Sequence, residues 1–272
     1  MALRTIFVQE LLEGQHSCQL SAEQLHHLRD VLRLPEGRRL ILRDAAGKSY
    51  WASWTFEAER EGRLDLEGRA ELGAEAGPRL HLWQCLPKAG KMDDIVRKSV
   101  ELGVYALHPV ESARCVSKLD RKGLASKRER WAKISQAAAE QAGRDRVPEI
   151  DEAWRLPKLF ELSGGSGSPD SDGGAFLDAE RELRIMAWEE EEGLSLRALL
   201  ETYLRQEEAA ACGLEQVHVL IGPEGGFSSE EARQAREAGW RTVGLGPRIL
   251  RTETAGPAVL SMLNIALPGR ML

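Results

Sequence analysis

The 272-residue sequence predicts an α/β protein in two parts: a small β-rich domain over residues 1–72 and a larger parallel α/β domain over residues 78–272. Three observations carry the prediction. Short apolar runs separated by turn residues fill the first part. The Gly, Ala, Glu and Pro-rich stretch from Glu71 to Pro78 then punctuates the chain. Beyond it, apolar runs of strand length alternate with amphipathic helical patterns, the signature of a parallel sheet.

In the first part, TIFV reads as a strand and SAEQLHHLRDVLRL as a helix, with Ser21 and Gln24 at the spacing of a capping box. RLILRD and YWASW form a strand pair joined by the turn AAGK, with Gly47 in the turn. The expectation is a small β-rich barrel with one helix. In the second part, LHLWQCL reads as a buried strand and VYALHPV as the next one. Between them KMDDIVRKSVELG is an amphipathic helix, with Met92, Ile95, Val96 and Leu102 on one face and Gly103 as its stop. A basic segment leads into the helix ERWAKISQAAAEQAGR, followed by VPEI, the helix WRLPKLFEL and a polar surface loop around Gly165. RIMAW and VHVLIG are strands flanking the helix LSLRALLETYL. TVGLG is the last strand, and GPAVLSMLNIAL the closing helix, with Pro257 in its first turn.

Composition sets the broad class. With 42% hydrophobic and 29% charged residues the chain buries a core. No run approaches the roughly 20 apolar residues of a membrane span, and the first residues lack a signal-peptide core, so a cytoplasmic protein is expected. Cys18, Cys85, Cys115 and Cys212 are far apart in sequence, with no CxxC pair, which points to reduced thiols and no metal site. The formal net charge of -6 is unevenly spread: Ser112 to Arg146 holds ten Lys and Arg against four Asp and Glu, whereas Glu149 to Glu192 holds four against thirteen. The basic stretch suits phosphate contact; two solvated faces of opposite sign are the other reading.

Two glycine-containing junctions carry the chemistry. VHVLIGPEGGFSSEEARQA is a strand, a glycine loop and a helix opened by the capping spacing Ser228–Glu231; TVGLGPRILRTETA is a second strand running into a second loop. Glycines after a strand let backbone approach a ligand, and ligands of open α/β sheets sit beyond the carboxyl ends of strands. On spacing alone, two ordinary glycine turns remain the alternative. The sequence has no Walker A loop, no strand-linked G-x-G-x-x-G, no G-x-S-x-G elbow and no H-E-x-x-H, which disfavours NTPase, dinucleotide oxidoreductase, hydrolase and metalloprotease readings.

KMDDIVRKSVELGV, RWAKISQAAAEQAGR, LIGPEGGFSSEE and LGPRILRTETA, together with HHLRDVLRL near the start, resemble the RsmE family of small-subunit ribosomal RNA uridine-N3 methyltransferases, in order over nearly the whole chain. The resemblance implies an N-terminal PUA-like RNA-binding barrel and a SPOUT methyltransferase domain with a C-terminal trefoil knot. It also implies a homodimer, S-adenosyl-L-methionine bound in the knot, and 16S ribosomal RNA of the small subunit as substrate. One departure is Ser112, Ala113, Arg114 and Cys115, where family members usually read Ser-Glu/Asp-Arg-Ser.

Methylating N3 of uridine requires loss of a proton, so a cation near the pyrimidine oxygens and a carboxylate near N3 are the groups to seek. The catalytic candidates are Arg144, Glu140 and Arg251. Glu140 and Arg144 are four apart and would share a helical face, either as a substrate contact or as an i,i+4 ion pair. Arg251 and Glu253 flank Thr252 in the second loop; one binds and the other braces. Cofactor contacts are expected from Gly222, Pro223, Glu224, Gly225, Leu245, Gly246, Ile249, Leu250 and Thr252, with Ala187 and Trp188 as a third wall. Glu224 is open between base, helix cap and dimer contact. RNA contacts are expected from Arg4, His27, Arg33, Arg114 and Lys118. The other readings are a knotted methyltransferase for another RNA position and a silent RNA-binding assembly protein.

Overall fold

The computed structural model describes residues 4–58, 61–71, 75, 77–88, 90–116, 121–164, 181–210 and 214–267; Lys118, Cys212 and the Gly165 loop lie outside them. The chain divides into two compact units. The first comprises Met1–Glu75 with Ala139–Val147, the second Ala76–Ala138 with Pro148–Leu272. A boundary drawn along the sequence could not show that a segment from mid-chain groups with the first unit.

The first unit is built on a five-stranded sheet of β1 (Thr5–Phe7), β2 (Ser17–Leu20), β3 (Arg39–Arg43), β4 (Ser49–Ala58) and β5 (Glu61–Arg69), in the order β1-β3-β4-β5-β2. The β3–β4 turn falls where the sequence puts it. Gly47 has φ +74°, and the Asp44 carboxylate accepts the amides of Ala46 and Lys48 at 3.0 and 2.9 Å. Helix α1 (Ala22–His26) opens with the expected box, in which Ser21 and Gln24 cap each other reciprocally. It then widens into a π-helical turn over His27–Val31, shorter than the single helix the pattern suggests. Leu25 and Leu28 from this segment pack with Leu40, Leu42, Trp54 and Leu64 of the sheet.

The second unit is a seven-stranded sheet of β6 (Arg79–Cys85), β7 (Ala106–Glu111), β8 (Glu149–Ile150), β9 (Trp154–Arg155), β10 (Glu182–Ala187), β11 (Gln216–Ile221) and β12 (Arg241–Val243). The order is β12-β10-β11-β6-β7-β8, with β9 also on β7, and every pairing is parallel. Its helices are α2 (Lys91–Glu101), α3 (Arg121–Ala142), whose last residues group with the first unit, α4 (Leu156–Gly164), α5 (Leu196–Ala210), α6 (Ser229–Glu237) and α7 (Thr252–Ala266). Continuous burial of β11 fits a central parallel strand covered on both faces. Helix α2 buries Met92, Ile95 and Val96 as its periodicity demands, and Gly103 follows its end at φ +79°.

Three expectations need correction. Helix α3 stops at Ala142, because Gly143 takes φ +68°, and Arg144 lies beyond the helix rather than on a face shared with Glu140. Trp154 and Arg155 pair with β7 as a short strand, so the next helix starts at Leu156. Finally, α7 begins at Thr252, which leaves Pro257 inside the helix, past its first turn.

Candidate functional site

Strands β10, β11 and β12 are neighbours and parallel, so their carboxyl ends open on one side of the sheet; Ala187 lies in register with both Ile221 and Val243. Beyond these ends sits a cavity of about 310 Å³. Its walls are the segment after β10, the loop after β11, and the long segment from Gly244 into α7. Of the residues expected from the sequence, Ala187, Trp188, Gly222, Pro223, Leu245, Gly246, Ile249, Leu250 and Thr252 all line it.

Glycine is needed at defined points of this wall. A Cβ on Gly222 would come within 3.1 Å of the buried Phe227 ring, and one on Gly244 within 2.8 Å of the Glu191 carbonyl. Gly226 turns the loop with φ +63°, and a Cβ there would collide with the Glu189 carboxylate. Thr252 locks the first residue of α7 to the loop. Its hydroxyl donates to the Gly222 carbonyl at 2.6 Å and accepts from Gln84 Nε2 at 2.9 Å, all three groups lying in or against the core.

Two expected contacts turn elsewhere. Gly225 packs its Cα against Arg114, and Glu224 points to α2, where Lys91 Nζ is 2.9 Å from its Oε1 and the Lys88 amide donates to it. The same ammonium sits 3.0 Å from Glu253 Oε2, so Lys91 joins the carboxylates of both glycine-loop segments. Burial works against the charge on Glu224, and Lys91 and backbone amides overcome it, holding the carboxyl below its usual range. Glu253 is lowered by its own backbone amide at the start of α7 and by Lys91. Glu224 is therefore an ionised bracing group.

Arg114 was expected on phosphate. Instead its Nη1 donates to the carbonyls of Gly225 and Phe227 at 2.9 and 3.2 Å, clamping the turn after β7 onto the glycine loop. Arg144 needs a similar correction. Its side chain is 4% exposed and its guanidinium makes a two-point contact with Glu75, at 2.8 and 2.5 Å, within the first unit. A guanidinium so enclosed braces its own unit. Glu140 is half-buried near the end of α3. Arg251 occupies the position before the first residue of α7 with no side-chain capping hydrogen bond, 83% exposed and 4.0 Å from Glu253. Arg4 and His27 are half-buried and Arg33 is exposed, with φ +48°.

The sequence reading missed Glu189, Glu191, Glu192, Gly226, Gly244 and Arg248, which also line the cavity. The run of four glutamates directly after a strand was the available signal. Burial opposes the charge of Glu191, but Thr242 Oγ1 at 2.5 Å, Arg236 Nη2 at 2.8 Å and the Gly193 amide at 2.9 Å keep it ionised. Among the described residues no cluster of His, Cys, Asp or Glu is arranged to hold a metal, and no helix is long and apolar enough to cross a membrane.

Comparison with known proteins gives this geometry a family. A family described as an RNA methyltransferase domain matches residues 75–264. Ribosomal RNA small subunit methyltransferase E of Bacillus subtilis is 29% identical over 254 residues, 93% of this chain and 91% of that protein. The protein of that name from Synechocystis is 31% identical over 91% of this chain and 73% of its own length. Among solved structures, ribosomal RNA small subunit methyltransferase E of Neisseria gonorrhoeae bound to S-adenosyl methionine superposes with a TM-score of 0.78, at 25% identity and full coverage of both chains. A Legionella pneumophila protein in complex with SAM as its bound cofactor gives a TM-score of 0.78 at 28% identity, over 98% of each chain. The chain belongs to the ribosomal RNA small subunit methyltransferase E family of RNA methyltransferases.

Proposed function

We propose that this protein transfers a methyl group from S-adenosyl-L-methionine to N3 of a uridine in 16S ribosomal RNA of the small ribosomal subunit. The observation that carries the reading is the cavity beyond β10, β11 and β12, in a chain of this family. Its residues fit the cofactor. Backbone at Gly222, Leu245 and Gly246 is open to a close approach, Ile221, Leu250 and Ala255 offer apolar contact to an adenine, and Glu189, Glu191 and Glu192 supply negative charge for a cationic ligand. When bound, S-adenosyl-L-methionine supplies an electrophilic methyl group.

The chain's own residues then have separable tasks. Thr252 and Gln84 hold the Gly222 carbonyl in place, and Lys91 holds Glu224 and Glu253. Arg251, exposed next to the lining residues Leu250 and Thr252, is the cation proposed to stabilise charge on the uracil oxygens as N3 loses its proton. The first unit is proposed to be a PUA-like RNA-binding barrel using Arg4, His27 and Arg33, and the second a SPOUT domain whose C-terminal segment threads a trefoil knot. A cytoplasmic homodimer completes the reading. The apolar side chains left exposed at Ile249, Met262 and Ile265, the last two one turn apart on α7, support a second copy against that region.

The test is methyl transfer from S-adenosyl-L-methionine to small subunits lacking the modification, with the base mapped by mass spectrometry. A methyl group on N3 of one uridine is expected. Modification at another atom or in another RNA, or cofactor binding without transfer, would refute it.

A further inference from the structure

Outside the cavity, the carboxyl ends of β6 and β7 bring together two cysteines that lie 30 positions apart in sequence. Cys85 closes β6 in register with Val110 of β7, and Cys115 folds back in the turn that follows β7. The Cys115 sulfur lies 3.8 Å from the carbonyl of Val110, the residue in register with Cys85, which brings the two cysteines together at the end of the β6–β7 pair. It is further engaged by the Ser112 amide at 3.4 Å and hydroxyl at 3.3 Å. Both sulfurs are free thiols. Cys115 lies just under the surface, with Arg114 and Val116 exposed on either side of it, whereas Cys85 is fully enclosed.

The turn that carries Cys115 is joined to the glycine loop. The Ala113 amide donates to Glu231 Oε1 at 3.0 Å, the carboxylate that also closes the capping box of α6. Arg114 Nη1 donates to the Gly225 and Phe227 carbonyls. Moving the turn therefore moves the partners of a loop that forms one cavity wall.

We propose that Cys85 and Cys115 are a hydroperoxide-sensitive dithiol whose oxidation to a disulfide shifts the Ser112–Cys115 turn against the glycine loop it is bonded to and weakens the cofactor site. The Cys115 thiolate attacks the peroxide; an S–O bond forms, the O–O bond breaks, and the departing oxygen leaves as an alcohol or as water. The Cys85 sulfur then attacks the Cys115 sulfenic acid. An S–S bond forms, the S–O bond breaks, and water leaves with the thiol proton. Two thiols lose two electrons and the peroxide gains them. Position assigns the order: the sulfur nearer the surface meets the oxidant and the enclosed one resolves it. The electrostatics agree, since hydrogen bonds from Cys85 and from Ser112 hold the Cys115 thiol below the usual cysteine range and burial pushes Cys85 well above it.

A disulfide fixes its sulfurs at about 2.05 Å, shorter than any non-bonded contact between them, so closure draws Cys115 off its Ser112 partners. A two-state turn of this kind couples reciprocally: oxidation weakens cofactor binding by some factor, and bound cofactor disfavours the disulfide by the same factor. The expected loss is about tenfold, within the range usual for coupled sites.

The experiment treats the full chain with hydrogen peroxide, alkylates the remaining thiols and maps cysteines by mass spectrometry of a non-reducing digest. A linked Cys85–Cys115 pair, two hydrogens lighter, is expected, and Cys115→Ser removes it. Recovery of both cysteines as alkylated thiols, or of Cys115 as a sulfinic acid without linkage, overturns the proposal. On the linked protein, calorimetry with S-adenosylmethionine should read the tenfold loss, reversed by dithiothreitol, and amide exchange over residues 222–228 should quicken. The affinity arm rests on the cofactor reading. If the reduced protein binds no S-adenosylmethionine, that reading fails, and exchange alone decides: an unchanged rate over 222–228 in the linked protein overturns the coupling.

Discussion

Replacing Thr252 by valine keeps the shape of the side chain and removes only its hydroxyl. In the folded protein that hydroxyl is 2.6 Å from the Gly222 carbonyl and 2.9 Å from Gln84 Nε2, on a residue 5% exposed. Gln84 Nε2 keeps its second acceptor, the Cys85 carbonyl at 3.0 Å, so the amide loses half its partners while Gly222 loses its lock on α7. A buried polar group stripped of its partner costs about 1–3 kcal/mol, and one full loss plus a partial one comes to about 2 kcal/mol. For a chain of this size that lowers the melting temperature by roughly 4–8 °C. Because Gly222 lines the cavity, affinity for S-adenosylmethionine should fall about tenfold, about 1.4 kcal/mol by the usual conversion. The control is Thr252→Ser, which keeps both hydrogen bonds and loses a methyl group. Thermal denaturation and calorimetry on both variants decide the matter. If the valine and serine variants melt together and bind alike, the hydroxyl does not hold the loop.

Three further outcomes follow from the same geometry. Gly222→Val forces a side chain onto the Phe227 ring, 3.1 Å from the first added carbon, and should abolish cofactor binding measured by calorimetry while leaving circular dichroism unchanged. Glu75→Ala leaves the Arg144 guanidinium enclosed without its carboxylate and should cost about 3 kcal/mol in urea denaturation; Glu75→Asp should recover part of it. Lys91→Met should lower the urea midpoint at pH 7. Lys91 and backbone amides hold the Glu224 and Glu253 carboxyls below the usual carboxylate range, so their stabilisation is present above that range and lost as the pH falls through the lowered pKa values; wild type and variant should converge in acid.

Local physics was the readable part of the chain. Ser21 with Gln24 and Ser228 with Glu231 announced two helix starts because a capping box is closed by four consecutive residues, and both boxes form. Seven of the nine cavity residues were legible in the two glycine-loop segments, which follow parallel strands where ligands of open α/β sheets sit. What stayed hidden depends on partners distant in sequence. Arg144 meets Glu75 across 69 positions, and Arg114 meets Gly225 across 111, so each basic residue looked available for RNA when taken alone. Lys91 carried no mark of its bridge between Glu224 and Glu253. Helix ends misled for a related reason: Gly143 ends α3 by taking φ +68°, which the preceding run of good helix formers does not reveal, and Pro257 suggested a start at Gly256 that α7 makes four residues earlier.

The strand order β12-β10-β11 has a consequence for how the molecule is made. The walls of the cavity come from residues near 187, 222 and 244–255, and Thr252 is joined to Gln84 across 168 positions. A chain synthesised from its amino end at about 5–20 residues per second has β6 in hand many seconds before Thr252 emerges. Until then the Gly222 carbonyl has no lock and the third wall does not exist. A chain cut short before α7 would thus be blind to the methyl donor, and ligand occupancy would report that synthesis has passed Thr252 and that α7 has closed onto β6.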